Sequence, residues 1–432
     1  MYPEIKIAEL PEETTTDGVK LYGKASYETQ VALLSQYLHN FDSKYDKGTV
    51  RKRTDILNAI RDFLDWKQTQ GDHDPRWQNI DDEQLILAAE DPFDNYLFSD
   101  FFRVPFPTPQ EPKFRFIDLF AGIGGIRIPF DELGGKCVFS SEWDAAAQKT
   151  YFANFGELPF GDITKIKADF IPKHDILLAG FPCQAFSIMG KMKGFADTRG
   201  TLFFDVARIL DYHHPKAILL ENVKQLVTHD KGNTFRVILE TLASLGYYVK
   251  WKVLNALDFG VPQKRERVII IGFTDKTKTD AFDFDFDKKP FNLADILEPD
   301  EKVDATLFAS DSILEKRRMR TEGKNIFYPS VWHENKSGNI SVLPYACALR
   351  TGASYNYQLI NGYRRPSSRE LLRLQGFPDK FVIAVTHADI RRQTGNSVAV
   401  PMIRMVANKI INLIYNGKES SQAKRLQETC YA

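Results

Sequence analysis

The segment Gly180-Phe181-Pro182-Cys183-Gln184 sets a thiol just after the apolar run Ile176-Leu177-Leu178-Ala179. A thiol is a nucleophile only as its thiolate, so its surroundings decide whether it reacts. Pro182 fixes the backbone ahead of the sulfur and supplies no N–H. A lone cysteine is ordinarily a buried packing residue, and Cys183 takes on a chemical reading only with partners. Glu221-Asn222-Val223 supplies one, at the end of the apolar run Ile218-Leu219-Leu220. A carboxylate in such a place is partly desolvated, which raises its pKa toward a useful general-acid range. Gln263, Arg265 and Arg267 alternate at the start of another apolar run, so their side chains share one face. Two guanidiniums on one face suit a carboxylate or phosphate partner better than a core. Between Phe186 and Thr201, Gly190, Gly194 and Gly200 alternate with Lys191, Lys193 and Arg199. Such a stretch reads as a loop that closes over a polyanion, or as an ordinary surface loop.

A second group of residues reads as a cofactor site. Asp118-Leu119-Phe120-Ala121-Gly122-Ile123-Gly124-Gly125 joins a strand to a helix. Its glycines let the backbone turn tightly and approach a ligand. The spacing departs from the dinucleotide pattern GxGxxG. Glu142 closes the next strand, where an acid suits ribose hydroxyls. Trp143 offers an aromatic face to an adenine, and Asp162 is a further polar group near the same edge. Taken singly, either acid also suits a helix cap. The set fits a nucleoside cofactor without a phosphate clamp, such as S-adenosylmethionine, better than a dinucleotide.

These groups need a frame, and the chain from Lys113 onward supplies one. Strands are expected at 114–119, 137–142, 175–179, 217–221, 249–255 and 267–273, with helices between them such as Thr234 to Leu245 before Gly246. That alternation predicts an α/β fold with a doubly wound, mostly parallel sheet and ligands beyond the carboxyl ends of its strands. Residues 274–363 lose the rhythm and predict a smaller irregular domain. Helical periodicity returns at Ser368 to Leu374 and Val398 to Ile414. Residues 1–112 predict a helical extension, with a helix after Thr54 and a linker through Pro105, Pro107, Pro109 and Pro112.

The chain of 432 residues has a formal net charge of zero, so any nucleic-acid surface must be a local patch. Its four cysteines form no CxxC pair, which argues against a zinc site or a disulfide framework and favours a reducing compartment. No apolar run approaches the ~18 residues of a membrane span, and the first residues lack a signal core.

In order along the chain, these motifs resemble those of the DNA (cytosine-5)-methyltransferases of bacterial modification systems. The matching segments are Asp118 to Gly125, Ser141-Glu142-Trp143, Gly161-Asp162-Ile163, Gly180 to Ser187, Gly200 to Phe204, Glu221-Asn222-Val223, Pro262 to Arg267, Arg369 to Pro378 and Gly395 to Val398. The resemblance implies the S-adenosylmethionine-dependent methyltransferase fold. It implies a catalytic domain at 113–273 completed by 364–432, and a target recognition domain at 274–363. By motif, Cys183 would be the nucleophile, Glu221 the acid that reads cytosine, and Arg265 its orienting partner. Phe120 and Trp143 would flank adenine, Glu142 would hold ribose, and Asp162 with Ile163 would face the adenine edge. Gly122, Ile123, Gly124, Gly125, Pro182, Leu202, Asn396 and Ser397 would complete the cofactor pocket. Gln184, Ser187, Lys191, Lys193, Arg199 and Arg267 would meet DNA. Methyl transfer to C5 of a flipped cytosine follows from the resemblance, with no metal. So do double-stranded DNA as partner, a monomer on DNA, a separately acting endonuclease, and a cytoplasmic, nucleoid-associated enzyme. A tRNA cytosine-5 methyltransferase and a catalytically silent DNA-binding regulator are the alternatives.

Overall fold

The computed structural model describes residues 104–109, 111–157, 159–182 and 202–416. The helix expected after Thr54 lies outside the described residues, as do Cys183, Gln184, Ser187, Lys191, Lys193 and Arg199.

Four strands run parallel: β1 (Phe114–Leu119), β2 (Gly135–Ser141), β3 (Ile176–Ala179) and β4 (Ala217–Val223). β5 (Tyr248–Asn255) forms an edge, and the two-residue β6 (Gln263–Lys264) precedes β7 (Glu266–Phe273). β7 lies between β4 and β5 and is antiparallel to both, giving the order β2-β1-β3-β4-β7-β5. The sheet is therefore mostly parallel, as expected. Its reversed strand follows from a short connection, since the link from β5 to β7 cannot hold the crossover that parallel neighbours require.

The central strands are continuous apolar runs because both of their faces are covered. Phe114, Phe116, Leu178, Leu219 and Ile271 face one core with α1 (Arg127–Glu132) and α9 (Val400–Ile411). Ile117, Leu177, Leu220 and Ile270 face the other with α3 (Leu202–His213) and α4 (Asn233–Ser244). α2 (Ala145–Phe155) follows β2 and is capped by the Asp144 carboxylate, which accepts from the Ala147 amide at 2.9 Å. α5 (Lys276–Ala281) follows β7, and the alternating run behind it presents Phe282 to the first core. Lys250 and Lys252 of edge strand β5 donate to the carbonyls of Phe282 and Phe284. Lysines on an edge strand also discourage pairing with another chain.

Beyond α6 (Asp311–Thr321), strands β8 (Val331–Glu334), β9 (Ile340–Leu343) and β11 (Gln358–Ile360) form a small antiparallel sheet. β10 (Ala346–Cys347) leaves it to pair with β6, which ties this segment to the root of β7. α7 (Ser368–Arg373) starts at Ser367 with a reciprocal capping box to Glu370. α8 (His387–Asn396) then leads into α9.

Directly behind the glycine turn, Arg127 is fully buried. Its guanidinium donates to Asp131 at 2.7 Å, Tyr151 at 2.9 Å, and both oxygens of Glu157 at 2.7 and 2.8 Å. It thereby pins α1 to the chain leaving α2. Removing one partner of a buried pair leaves the other charge poorly compensated. Glu157→Ala should therefore cost about 3 kcal/mol, a fall in melting temperature of roughly 6–12 °C. A shift below about 2 °C in a thermal melt would show that the clamp contributes little.

Candidate active site

The carboxyl ends of β1 to β4 open on one cavity of about 750 Å³. On its cofactor side, the turn after β1 supplies Phe120, Gly122, Ile123 and Gly125. Phe120 and Gly122 both adopt left-handed backbone with φ 56°, and a Cβ built on Gly122 would meet nothing within 4 Å. At Gly125 the approach is close: a Cβ there would lie 2.8 Å from Ser397 Oγ, so this turn packs bare backbone against the returning chain. Gly124 has a different task. It has φ 82°, and a Cβ would sit 2.3 Å from the Phe155 ring, so it packs away from the cavity.

Glu142 is held from both sides. One oxygen accepts the Gly122 amide and the other accepts the Asp144 amide, each at 2.8 Å. Burial pushes its carboxyl up, while those amides pull it back. Trp143 beside it is 82% exposed although Ser141 and Glu142 before it are buried, which leaves a bare indole face on the rim. Asp162 and Ile163 line the opposite edge, where one Asp162 oxygen caps a short turn by accepting from the Thr164 amide and hydroxyl at 3.0 and 2.8 Å. Pro182, Leu202, Asn396 and Ser397 complete this end. The set fits S-adenosylmethionine: bare backbone at Gly122 and Gly125, a strand-end acid at Glu142, and a free aromatic face.

At the other end of the cavity stands Glu221, at 7% exposure. Arg267 Nε lies 2.9 Å from its Oε1, an ion pair across the antiparallel β4–β7 pairing. Burial raises the Glu221 carboxyl above its ordinary range, with Arg267 and then Arg265 drawing it down. A Cβ built on Gly180 would lie 3.6 Å from Glu221 Oε2, so the segment that leads into Cys183 runs against this acid. Asn222 fastens that segment by donating to the Phe181 carbonyl at 2.8 Å.

Arg265 lines the same cavity as Glu221, but its hydrogen bonds go elsewhere. The ion pair to Glu221 belongs to Arg267, whereas Arg265 is 1% exposed and donates to backbone carbonyls. The expectation that neither arginine joins the core holds poorly for Arg265, because carbonyl oxygens take over the role of solvent around its guanidinium. Burial and the Arg267 charge still push it down to about 9. The sequence reading also missed Arg392 and Gln393, which line the cavity from α8. Arg392 pairs with Asp144 at 2.8 Å, and Gln393 Nε2 donates to the Ala146 carbonyl at 2.9 Å. Both partners are distant in sequence, and no local pattern flags them.

This sheet, with its site at the carboxyl ends of parallel strands, is Rossmann-like, and its cavity fits a nucleoside cofactor such as S-adenosylmethionine. Residues 114–412 match the family described as C-5 cytosine-specific DNA methylase, and the chain belongs to that family. It is therefore a DNA cytosine-5 methyltransferase. It is 57% identical over 303 residues to the Type II methyltransferase M.HaeII of Haemophilus aegyptius, across 69% of this chain and 93% of that protein. The Type II methyltransferase M.NgoBI of Neisseria gonorrhoeae is 54% identical over 313 residues, covering 72% of this chain and 96% of that one. The crystal structure of S. pombe Dnmt2 methyltransferase shares the fold, with a TM-score of 0.54 at 20% identity over 70% of this chain and 100% of its own.

If the Glu142 carboxylate shapes the cofactor end, Glu142→Gln turns one acceptor into a donor facing an amide. Affinity for S-adenosylhomocysteine, measured by calorimetric titration, should fall about 10-fold or more. Unchanged affinity would assign Glu142 to the turn alone.

Proposed function

We propose that this chain methylates C5 of a cytosine lifted out of duplex DNA, through a transient bond between Cys183 and C6 of the base. The observation that carries the proposal is the desolvated Glu221, paired with Arg267 and facing the segment that ends at Cys183. C5 of cytosine is a weak nucleophile. Addition of a thiolate to C6 makes the ring enamine-like and places electron density on C5, splitting one hard step into easier ones. Protonated Glu221 donates to N3 and disperses the negative charge that develops on the ring. Arg267 fixes the direction of that carboxyl. Glu142 and the glycine turn would hold S-adenosylmethionine, which would supply the electrophilic methyl carbon and leave as S-adenosylhomocysteine. A base then takes the C5 proton, and the sulfur leaves C6 by elimination.

The target atom lies inside the stack of a duplex, so the base must be flipped into the cavity. We assign Lys191, Lys193 and Arg199, with Gln184 and Ser187, to the DNA phosphates and the gap the base leaves. Residues 274–363 are assigned to reading the target sequence. The enzyme acts as a monomer, separately from any endonuclease, in the bacterial cytoplasm on nucleoid DNA. The family match to DNA methylases supports DNA over tRNA as substrate.

Glu221→Gln keeps the shape but removes the transferable proton. Its single-turnover rate on DNA should fall by ~10²-fold or more, with folding unchanged. Burial keeps Glu221 protonated to higher pH than a free glutamate. The wild-type rate therefore declines as pH rises through that raised value, and the variant lacks this decline. A wild-type-like rate and profile in the variant would remove Glu221 from the chemistry.

A further inference from the structure

Arg265 sits between β6 and β7, at the junction of three chain segments. Its Nη1 donates to the Leu349 carbonyl at 3.1 Å, just beyond β10. Its Nη2 donates to the Gly395 carbonyl at 3.0 Å and also to the Ser397 carbonyl. These two carbonyls bracket Asn396, so one guanidinium holds both ends of that part of the cofactor wall. Gln263, two residues earlier, repeats the device: Leu349 N–H donates to its Oε1 at 3.0 Å, and its Nε2 donates to the Leu374 carbonyl at 2.7 Å.

The segments so joined also touch directly. A Cβ on Gly395 would lie 2.7 Å from the Thr351 amide nitrogen, so only bare backbone lets the 349–351 segment lie against the cofactor wall. On the far side of that wall, Ser397 Oγ abuts Gly125 of the cofactor turn. A continuous packed path thus runs from Leu349 through Gly395–Ser397 to the turn that approaches the cofactor. Arg265 is the polar fastener along it. A planar guanidinium with several fixed donors can satisfy carbonyls in different directions at once, which a lysine ammonium at the end of a flexible stem does less well.

We propose that Arg265 is a positioning residue through which cofactor binding and duplex binding reinforce each other, while the ion pair to the Glu221 carboxyl is made by Arg267. This rests on the reading that residues 274–363 meet DNA. A ligand that orders Asn396 and Ser397 also fixes the Leu349 carbonyl, and linkage makes the effect reciprocal.

The test measures binding in both directions with the full chain, S-adenosylhomocysteine and a duplex oligonucleotide carrying the site mapped by bisulfite sequencing of methylated DNA. In the wild type, S-adenosylhomocysteine should tighten duplex binding about 10-fold, within the usual range of such coupling. In Arg265→Met that factor should fall to about 2 or less, and affinity for S-adenosylhomocysteine alone should fall about 10-fold. Arg265→Lys keeps the charge and most of the stem, and it serves if the methionine variant folds poorly; it should lose most of the coupling as well. Arg267→Lys should retain the coupling while its chemical step slows. Full coupling in both Arg265 variants would overturn the proposal. A merely structural Arg265 would lower melting temperature and leave the coupling factor intact. Failure of the wild type to methylate any duplex would instead overturn the reading on which the proposal rests.

Discussion

A carboxyl group kept almost dry at the end of a β-strand is the constraint on which the site depends. Glu221 ends the apolar interior of β4, and desolvation there favours its protonated form. Left alone it would have no fixed direction. The reversed strand β7 changes this, since its antiparallel pairing brings Arg267 opposite the end of β4. The arginine lowers the cost of ionisation and sets the angle of the carboxyl. Burial and a nearby cation therefore oppose one another, the arrangement expected of a group that must both hold and share a proton. A fully parallel sheet would not place Arg267 there.

The remaining architecture serves two approaches to that acid. The glycine turn and Glu142 bring a methyl donor toward the cavity from one side. The Gly180 segment, tied down by Asn222, brings the chain to Cys183 from the other. Neither support is local. The cofactor wall at Asn396 and Ser397 comes from the end of α8 and the link to α9, and α9 then covers the same core face as α1. Arg127 holds the turn from behind through Glu157. The result is a site of small, rigid, buried contacts with one exposed aromatic, Trp143, at its entrance.

Much of this was legible in the residues, for identifiable reasons. The central strands were found within one or two residues of their ends, because strands covered on both faces must be apolar throughout. The acids at 142 and 221 were legible because each terminates such a run. The partners of Arg265 were hidden for the opposite reason. Alternation along the chain predicts Gln263, Arg265 and Arg267 on a common side, but the partners of Arg265 are carbonyls at Leu349, Gly395 and Ser397. Backbone carbonyls carry no sequence signal, so a buried, carbonyl-solvated arginine looks like a ligand-binding one. The reversal of β7 was likewise hidden, since strand direction depends on the length and path of a connection and not on the composition of the strand. Arg392 and Asp144 meet across the fold with nothing in either local segment to announce the pair.

The decisive measurement is covalent trapping. A duplex bearing 5-fluorocytosine at the methylated position cannot lose a proton from C5, so the bond to sulfur persists once the methyl group has been transferred. With S-adenosylmethionine present, mass spectrometry of the wild-type chain should find the oligonucleotide attached to the peptide containing Cys183, and Cys183→Ala should form no such adduct. A wild-type chain that methylates normal DNA yet never retains the fluorinated strand at Cys183 would contradict the account.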